Sequence, residues 1–217
     1  MTTQWEMIAQ GGFQFFGKMS ASISHEIKNA LAIINENAGL LEDLTLLAEQ
    51  GRPIDPERLK KLARSVMKQI ERTDGLVKRL NRFAHSADEP IKTIDLGETL
   101  ELVVAVVQRL AGLKEARLEL IAPRRPIPLA TSPFLLENLI GGCLEFLLGL
   151  GVKAIQLVPE GTAEGARIRL VGQSAFSTAP PAAFPTEKEK AFLEALKAEL
   201  QLEPATGEVV LSLPKQI

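Results

Sequence analysis

The chain has 217 residues, of which 46% are hydrophobic and 24% are charged, and 25 basic against 27 acidic side chains leave a net charge of -2. This composition is typical of one or two small folded domains and excludes a disordered chain. The balance of charge leaves no general field that would attract nucleic acid, so we expect no nucleic-acid partner.

Cysteine content and hydropathy point to a cytoplasmic protein. The single Cys143 excludes an intramolecular disulfide and a cysteine-cluster zinc site, which is typical of a reducing compartment. The longest apolar stretch, residues 135–152, contains Glu137 and Glu145 and predicts a buried helix instead of a membrane span. The first residues lack the basic and then apolar pattern of a signal peptide. We therefore expect no contact with a membrane.

The N-terminal half predicts two long helices. From residue 13 to about residue 50 there is no proline, and apolar or small residues recur at spacings of three and four. The segment 51–56 then combines a glycine with two prolines, which ends one helix and starts the next. The second helix should end in the polar residues 86–90. Two helices and a short loop predict an antiparallel hairpin over residues 13–88, after a tail of residues 1–12.

Each predicted helix carries one apolar stripe, so the hairpin alone would leave its inner face half covered. Dimerisation into a four-helix bundle would cover that face. The alternative is a monomeric hairpin whose stripe packs on the rest of the chain. We expect the homodimer.

The second half, residues 92–217, predicts an α+β domain with helices on one face of a mixed sheet. Helices are expected at residues 96–113, 133 to about 148 and about 187–199. Alternating or β-branched segments predict strands at residues 117–121, 127–130, 153–158, 166–171 and 208–213. A proline-rich loop, residues 177–186, separates the hairpin of the third and fourth strands from the last helix.

The residues most suited to chemistry are Ser24-His25-Glu26-Ile27-Lys28-Asn29 in the first helix. His25 lies two residues past the core position Ile23, about 200° around the helix, so its imidazole should face solvent. Glu26 could hold one ring nitrogen so that the other attacks phosphorus. Asn29, one turn later, could orient a phosphoryl oxygen or a water. The alternative is a polar helix face that happens to include a histidine.

The stretch FGKMSASISHEIKNALAIIN, residues 16–35, resembles the H-box of bacterial two-component sensor histidine kinases, in their dimerisation and histidine phosphotransfer hairpin. The resemblance implies that His25 is the phosphoacceptor and that Glu26 is the acidic neighbour that assists transfer. It also implies that Asn29 is the amide with which phosphatase-competent members place a hydrolytic water. Ala30 stands where the family usually has a proline that bends this helix.

The order of elements after residue 94 is similar to that of the kinase ATP-binding domain, but the nucleotide-binding residues are degenerate. Asn138 matches the first asparagine of the N-box, whereas the second, which would hold magnesium, falls on Gly142. Residues 172–177 lack the Asp-x-Gly-x-Gly box, and residues 177–190 contain no glycine for a lid. We therefore expect no tight binding of Mg·ATP and no autokinase activity.

A phosphoacceptor hairpin followed by a degenerate ATPase-type α/β sandwich is similar to the dimeric phosphorelay histidine phosphotransferases. This resemblance implies that a phosphoryl group moves between His25 and the aspartates of response-regulator receiver domains. Receiver domains bring their own Mg²⁺, so we expect this chain to need no cofactor or metal. The alternatives are an ATP-dependent sensor histidine kinase and a non-catalytic pseudokinase that binds a response regulator.

The second predicted helix is strongly basic in a near-neutral protein. Between residues 57 and 82 it has nine lysines and arginines against three acidic residues. Such a surface could steer an acidic receiver domain, and we predict that Lys28, Arg64, Lys68 and Arg72 dock the partner. A solvated helix face is the ordinary alternative, and a nucleic-acid patch is a weaker one.

Overall fold

A computed structural model describes residues 3–172 and 184–217 of the chain. The described residues form two compact units. One unit is residues 20–81, and the other combines residues 3–19 with residues 82–172 and 184–217. No helix in these described ranges is long and apolar enough to cross a membrane.

The two predicted N-terminal helices are confirmed. Helix α1 is Gln4–Glu49 and helix α2 is Pro56–His85. Between them Gly51 adopts a φ of 79°, the left-handed conformation that favours glycine at the end of a helix. α1 is one continuous helix of 46 residues that passes through Ala30, where the resembling family has its bending proline.

The start of α1 differs from the prediction, since the helix begins at Gln4 and not at residue 13. Most of the predicted tail of residues 1–12 is therefore helical. A capping box explains the early start: Glu6 Oε2 accepts from the backbone N–H of Thr3 at 2.7 Å, and Thr3 Oγ1 accepts from the backbone N–H of Glu6 at 3.3 Å. The helix passes through Gly11 and Gly12, although glycine is a poor helix former.

The α+β fold is confirmed in the second unit. Its elements are β1 Lys92–Asp95, α3 Leu96–Leu113, β2 Arg117–Leu120, β3 Pro128–Thr131, α4 Pro133–Gly149, β4 Ala154–Gly161, β5 Gly165–Gly172, α5 Glu187–Ala195, β6 Glu199–Glu203 and β7 Glu208–Pro214. β1 pairs antiparallel with β3, and five strands form a mixed sheet in the order β2-β4-β5-β7-β6. Within this sheet β2 and β4 are parallel, and the other neighbours are antiparallel.

Three elements of this unit were not predicted as they stand. β1 and β6 were not predicted as strands, and the last helix was predicted to reach residue 199 but ends at Ala195. Lys197 has a φ of 48°, and the backbone N–H of Ala198 donates to the carbonyl of Leu193 at 2.8 Å. This left-handed turn ends α5 and leaves residues 199–203, whose side chains alternate in exposure, to form the edge strand β6.

Glycines allow the start of α1 to lie close against α4. A methyl group on Gly141 would be 2.3 Å from the ring of Phe15, and one on Gly12 would be 2.8 Å from the ring of Phe134. Phe83, from the end of α2, is fully buried with its ring centre 5.6 Å from that of Phe15 and 6.3 Å from that of Phe134. The first turns of α1 are thus part of the core of the α/β unit.

A carboxylate is buried in the same unit. Glu137 of α4 is 3% exposed and lines a cavity of about 310 Å³ together with Arg82, Ser86 and Asp95. Its Oε2 has no hydrogen-bond partner among the described residues. Burial raises the pKa of Glu137 to about 7, although a hydrogen bond with Ser86 and the charge of Arg82 act in the opposite direction.

The buried carboxylate of Glu137 should make the free energy of unfolding depend on pH. Because the pKa of Glu137 is raised from 4.5 to about 7, the folded state binds the proton more tightly than the unfolded state. The free energy of unfolding should therefore fall, by about 3 kcal/mol from this group, as the pH rises from about 4.5 to about 7. Glu137→Gln should remove this dependence and stabilise the protein at about pH 8, as measured by urea unfolding.

Glu101→Gln, which removes an exposed carboxylate of α3, is the matched control and should keep the wild-type pH dependence. A Glu137→Gln variant with the same pH dependence as the wild type would contradict the assignment.

Candidate functional site

The predicted phosphoacceptor lies in the helical hairpin. His25 is exposed on α1, whereas Ile23, which fixes the orientation of the helix, is 2% exposed. His25 makes no hydrogen bond to another residue in the described part of the chain, so no described residue engages either ring nitrogen. An exposed imidazole on a regular helix is a nucleophile that a second protein can reach.

Asn29 is exposed one turn after His25 on the same helix. Side chains four residues apart on a helix project on the same side, so the carboxamide of Asn29 and the imidazole of His25 share one surface. The arrangement suits an amide that contacts a group bound to the imidazole. Asn29 and His25 therefore lie together as the sequence predicts.

Glu26 is directed towards the second helix. Its Oε2 lies 3.1 Å from Nη2 of Arg72 on α2, and the side chains of Glu26 and Arg72 are 21% and 51% exposed. The sequence predicts Glu26 as a neighbour of His25 and Arg72 as a docking residue. The structure adds that these two residues are an ion pair between α1 and α2, which neither helix alone reveals.

The other three predicted docking residues are exposed cations. Lys28 lies on α1, and Arg64 and Lys68 lie one turn apart on α2. Among the described residues none of the three has a carboxylate within ion-pair distance, whereas Lys60 and Lys78 of α2 pair with acidic residues of their own helix. Arg64 and Lys68 thus leave two uncompensated charges on one face of α2.

The residues that resemble a nucleotide site lie on α4, and they are covered. Asn138 is 3% exposed, and its Nδ2 donates to the carbonyl of Phe134 at 2.7 Å. Gly142 faces the carboxylate of Glu189, because a methyl group on Gly142 would lie 3.1 Å from Glu189 Oε1. Lys188 Nζ, 2.9 Å from Oε1, and the backbone N–H of Thr186, 3.0 Å from Oε2, hold this buried carboxylate in place.

Sequence analysis missed Glu189, although a signal was present. Thr186 and Glu189 have the spacing of a capping box at the start of α5, and the structure forms that box. Nothing in the sequence indicates that the carboxylate also reaches Gly142. Of the segment 172–177 only Gly172 is described, and the proline-rich loop is described from residue 184 onwards, so most of both predictions lie outside the described residues.

The described residues give little support to metal binding or to cysteine chemistry. No group of three or more His, Cys, Asp or Glu side chains within residues 3–172 and 184–217 is placed to hold a metal ion. Cys143 is fully buried, and burial raises the pKa of its thiol, so the thiol stays protonated.

The comparisons with known proteins concern both units. Residues 17–89 match the family model described as His Kinase A (phospho-acceptor) domain. This match includes His25, Glu26, Asn29 and all of α2. A search of the curated proteins gives no match.

The solved structures that match this chain include histidine kinases, at low identity. The histidine kinase AdeS of Acinetobacter baumannii is 12% identical with a TM-score of 0.47, over 89% of this chain and 98% of that chain. The ATP binding domain of PrrB from Mycobacterium tuberculosis is 14% identical with a TM-score of 0.47, over 59% of this chain and all of that chain. Histidine kinase ThkA, solved in complex with response regulator protein TrrA, is 14% identical with a TM-score of 0.46, over 94% of this chain and 63% of that chain.

Proposed function

We propose that this chain, whose residues 17–89 match the His Kinase A (phospho-acceptor) domain model, is a histidine phosphotransferase. His25 would carry a phosphoryl group between the aspartates of response-regulator receiver domains. The observation that carries the proposal is the exposed His25, with Asn29 on the same surface, inside the matched domain. A chain with one cysteine suits the reducing cytoplasm, where we place this reaction.

The transfer needs a nucleophile and a leaving group in line. A ring nitrogen of neutral His25 attacks the phosphorus of the aspartyl phosphate, and the N–P bond forms as the bond from phosphorus to the aspartate oxygen breaks. The carboxylate leaves with the electron pair. The proton on the other ring nitrogen passes to Glu26 or to water, which leaves an uncharged imidazole ring bearing the anionic phosphoryl group. The reverse sequence on a second receiver regenerates the imidazole, and Mg²⁺ is expected from the receiver.

The surroundings of Gly142 favour a phosphotransferase over an ATP-dependent kinase. Gly142 offers no side-chain ligand for magnesium, and the carboxylate of Glu189 beside it would repel the phosphates of a nucleotide. The kinase remains the second candidate, because the match over residues 17–89 is to a phospho-acceptor domain of kinases. A pseudokinase that binds a response regulator without chemistry is the third.

Phosphotransferase activity predicts which phosphoryl donors label the protein. Wild-type protein should acquire acid-labile, base-stable label from ³²P-phosphorylated receiver domains and none from Mg·[γ-³²P]ATP. His25→Ala should acquire no label from either source, because it lacks the nucleophile. His85→Ala, the matched control at the chain's other histidine, should be labelled like the wild type.

The outcomes separate the three candidates. Label from ATP on His25 would replace the phosphotransferase by a kinase. Binding of receivers without label from any of them, or from ATP, would favour the pseudokinase.

We also propose that the hairpin dimerises. Several large apolar side chains of the unit of residues 20–81 are well exposed: Leu31 at 52%, Met67 at 56%, Ile70 at 48% and Val77 at 40%. Exposed apolar surface of this extent on a helical hairpin favours association, and a second hairpin would complete a four-helix bundle. The second copy is the occupant expected from the resemblance.

The dimer predicts a mass of twice the 23.6 kDa of one chain by light scattering. Met67→Glu should weaken dimerisation by at least about tenfold, because it places a charge in an apolar interface. Lys61→Glu, which introduces the same charge at a polar position of α2, should leave the mass unchanged. A monomeric wild type at micromolar concentration would contradict the dimer.

Receiver docking predicts a separate effect on affinity. The double variant Arg64→Glu/Lys68→Glu should raise the half-saturating concentration of a phosphorylated receiver by roughly tenfold at low salt, and by less at high salt. The maximal transfer rate should stay within about twofold, because neither residue contacts the reacting atoms. Arg52→Glu, in the loop between α1 and α2, is the matched control. Unchanged half-saturation in the double variant would remove these residues from the docking surface.

A further inference from the structure

Arg72 differs from the other predicted docking residues. Among the described residues, Lys28, Arg64 and Lys68 have no carboxylate within ion-pair distance, whereas Arg72 lies 3.1 Å from Glu26. A guanidinium that already binds a carboxylate of its own chain is partly neutralised, and it attracts an acidic partner less than a free cation does. The ion pair with Glu26 therefore distinguishes Arg72 from the other three predicted docking residues.

The pair also restricts where the Glu26 carboxylate can lie. Glu26 directly follows the phosphoacceptor in the chain, and its unpaired side chain would sample several rotamers. The contact with Arg72 engages Oε2 and leaves Oε1 without a hydrogen-bond partner among the described residues. Oε1 is therefore the oxygen available to accept the ring proton that His25 releases during transfer.

Charge compensation is a second effect of the same contact. A free carboxylate next to His25 would repel an incoming phosphoryl group, whose oxygens are anionic. The guanidinium of Arg72 offsets that charge and keeps the carboxylate oriented. Both effects act on the chemical step and neither requires Arg72 to touch the receiver.

We infer that Arg72 is a positioning residue for phosphoryl transfer. Arg72 holds the carboxylate of Glu26 so that this carboxylate can accept the ring proton that His25 releases. The inference rests on the proposed phosphotransfer at His25. It assigns to Arg72 a role in the rate of transfer in place of a role in docking.

A double-mutant cycle over Glu26 and Arg72 tests the inference. Arg72→Gln should lower the maximal rate of transfer from a phosphorylated receiver by roughly tenfold, with the half-saturating receiver concentration unchanged. Arg72→Lys should recover part of the rate, because it retains a cation. In a Glu26→Gln background Arg72→Gln should have no further effect, because the carboxylate that it positions is absent. Arg79→Gln removes an arginine of the same helix for which no ion pair is found among the described residues, and it should transfer like the wild type.

A small phosphoryl donor separates this inference from the proposed function. Potassium phosphoramidate phosphorylates histidine without a receiver, and ³¹P NMR follows the phosphohistidine at His25. The same cycle should appear in these rates, with circular dichroism used to verify that each variant is folded. If receivers fail to label the wild type but the phosphoramidate cycle is seen, the proposed function fails and the positioning role stands.

Three outcomes would overturn the positioning role. The first is an Arg72→Gln loss that persists in full in the Glu26→Gln background. The second is a loss confined to the half-saturating concentration of receiver. The third is a folded Arg72→Gln variant that reacts with phosphoramidate and receiver at the wild-type rate.

Discussion

The helical core of the α/β unit depends on one close contact, the ring of Phe15 against the bare backbone of Gly141. Any side chain at residue 141 would force the ring of Phe15 or the helices to shift, since even a methyl group would overlap that ring. The buried rings of Phe83 and Phe134 extend the contact, so α1, α2 and α4 meet in one aromatic cluster. Interiors packed at this density tolerate little added volume, which ties the position of α4, and with it Asn138 and Gly142, to the start of α1.

Local sequence rules predicted the structure correctly where glycine, proline or the spacing of apolar residues strongly favours one conformation. The glycine and prolines around Gly51 fix the break between α1 and α2, and the spacing from Ile23 fixes the exposure of His25. Prediction was wrong where local propensity conflicts with tertiary packing. Gly11 and Gly12 argue against a helix, yet α1 passes through them because their small size lets the helix lie against its neighbours in the α/β unit. The edge strand β6 was missed because its few alternating residues follow a helix without a proline or glycine to mark the change.

The candidate site likewise has one part that the sequence predicts and another that it does not. His25 and Asn29 are related by one turn of a single helix, so their common surface is predictable from spacing alone. The pairing of Glu26 with Arg72 depends on how far α2 is shifted along α1, and the sequence of neither helix contains that register. The same limit applies to Glu189, which meets Gly142 from a helix that is distant in sequence and is brought there by the packing of α5 on α4.

The neighbourhood of Gly142 also has a consequence for how this chain can change over evolutionary time. The resemblance to kinases implies an asparagine at residue 142, and a single substitution would introduce it. In the present fold the carboxylate of Glu189 lies against that position, anchored by Lys188 and by the start of α5. The Cβ of an asparagine at residue 142 would lie 3.1 Å from Glu189 Oε1, so the carboxylate would have to shift by a few tenths of an ångström to admit it. The ion pair with Lys188 and the capping contact with Thr186 resist that shift, so the packing of α5 on α4 disfavours the return of a side chain at residue 142.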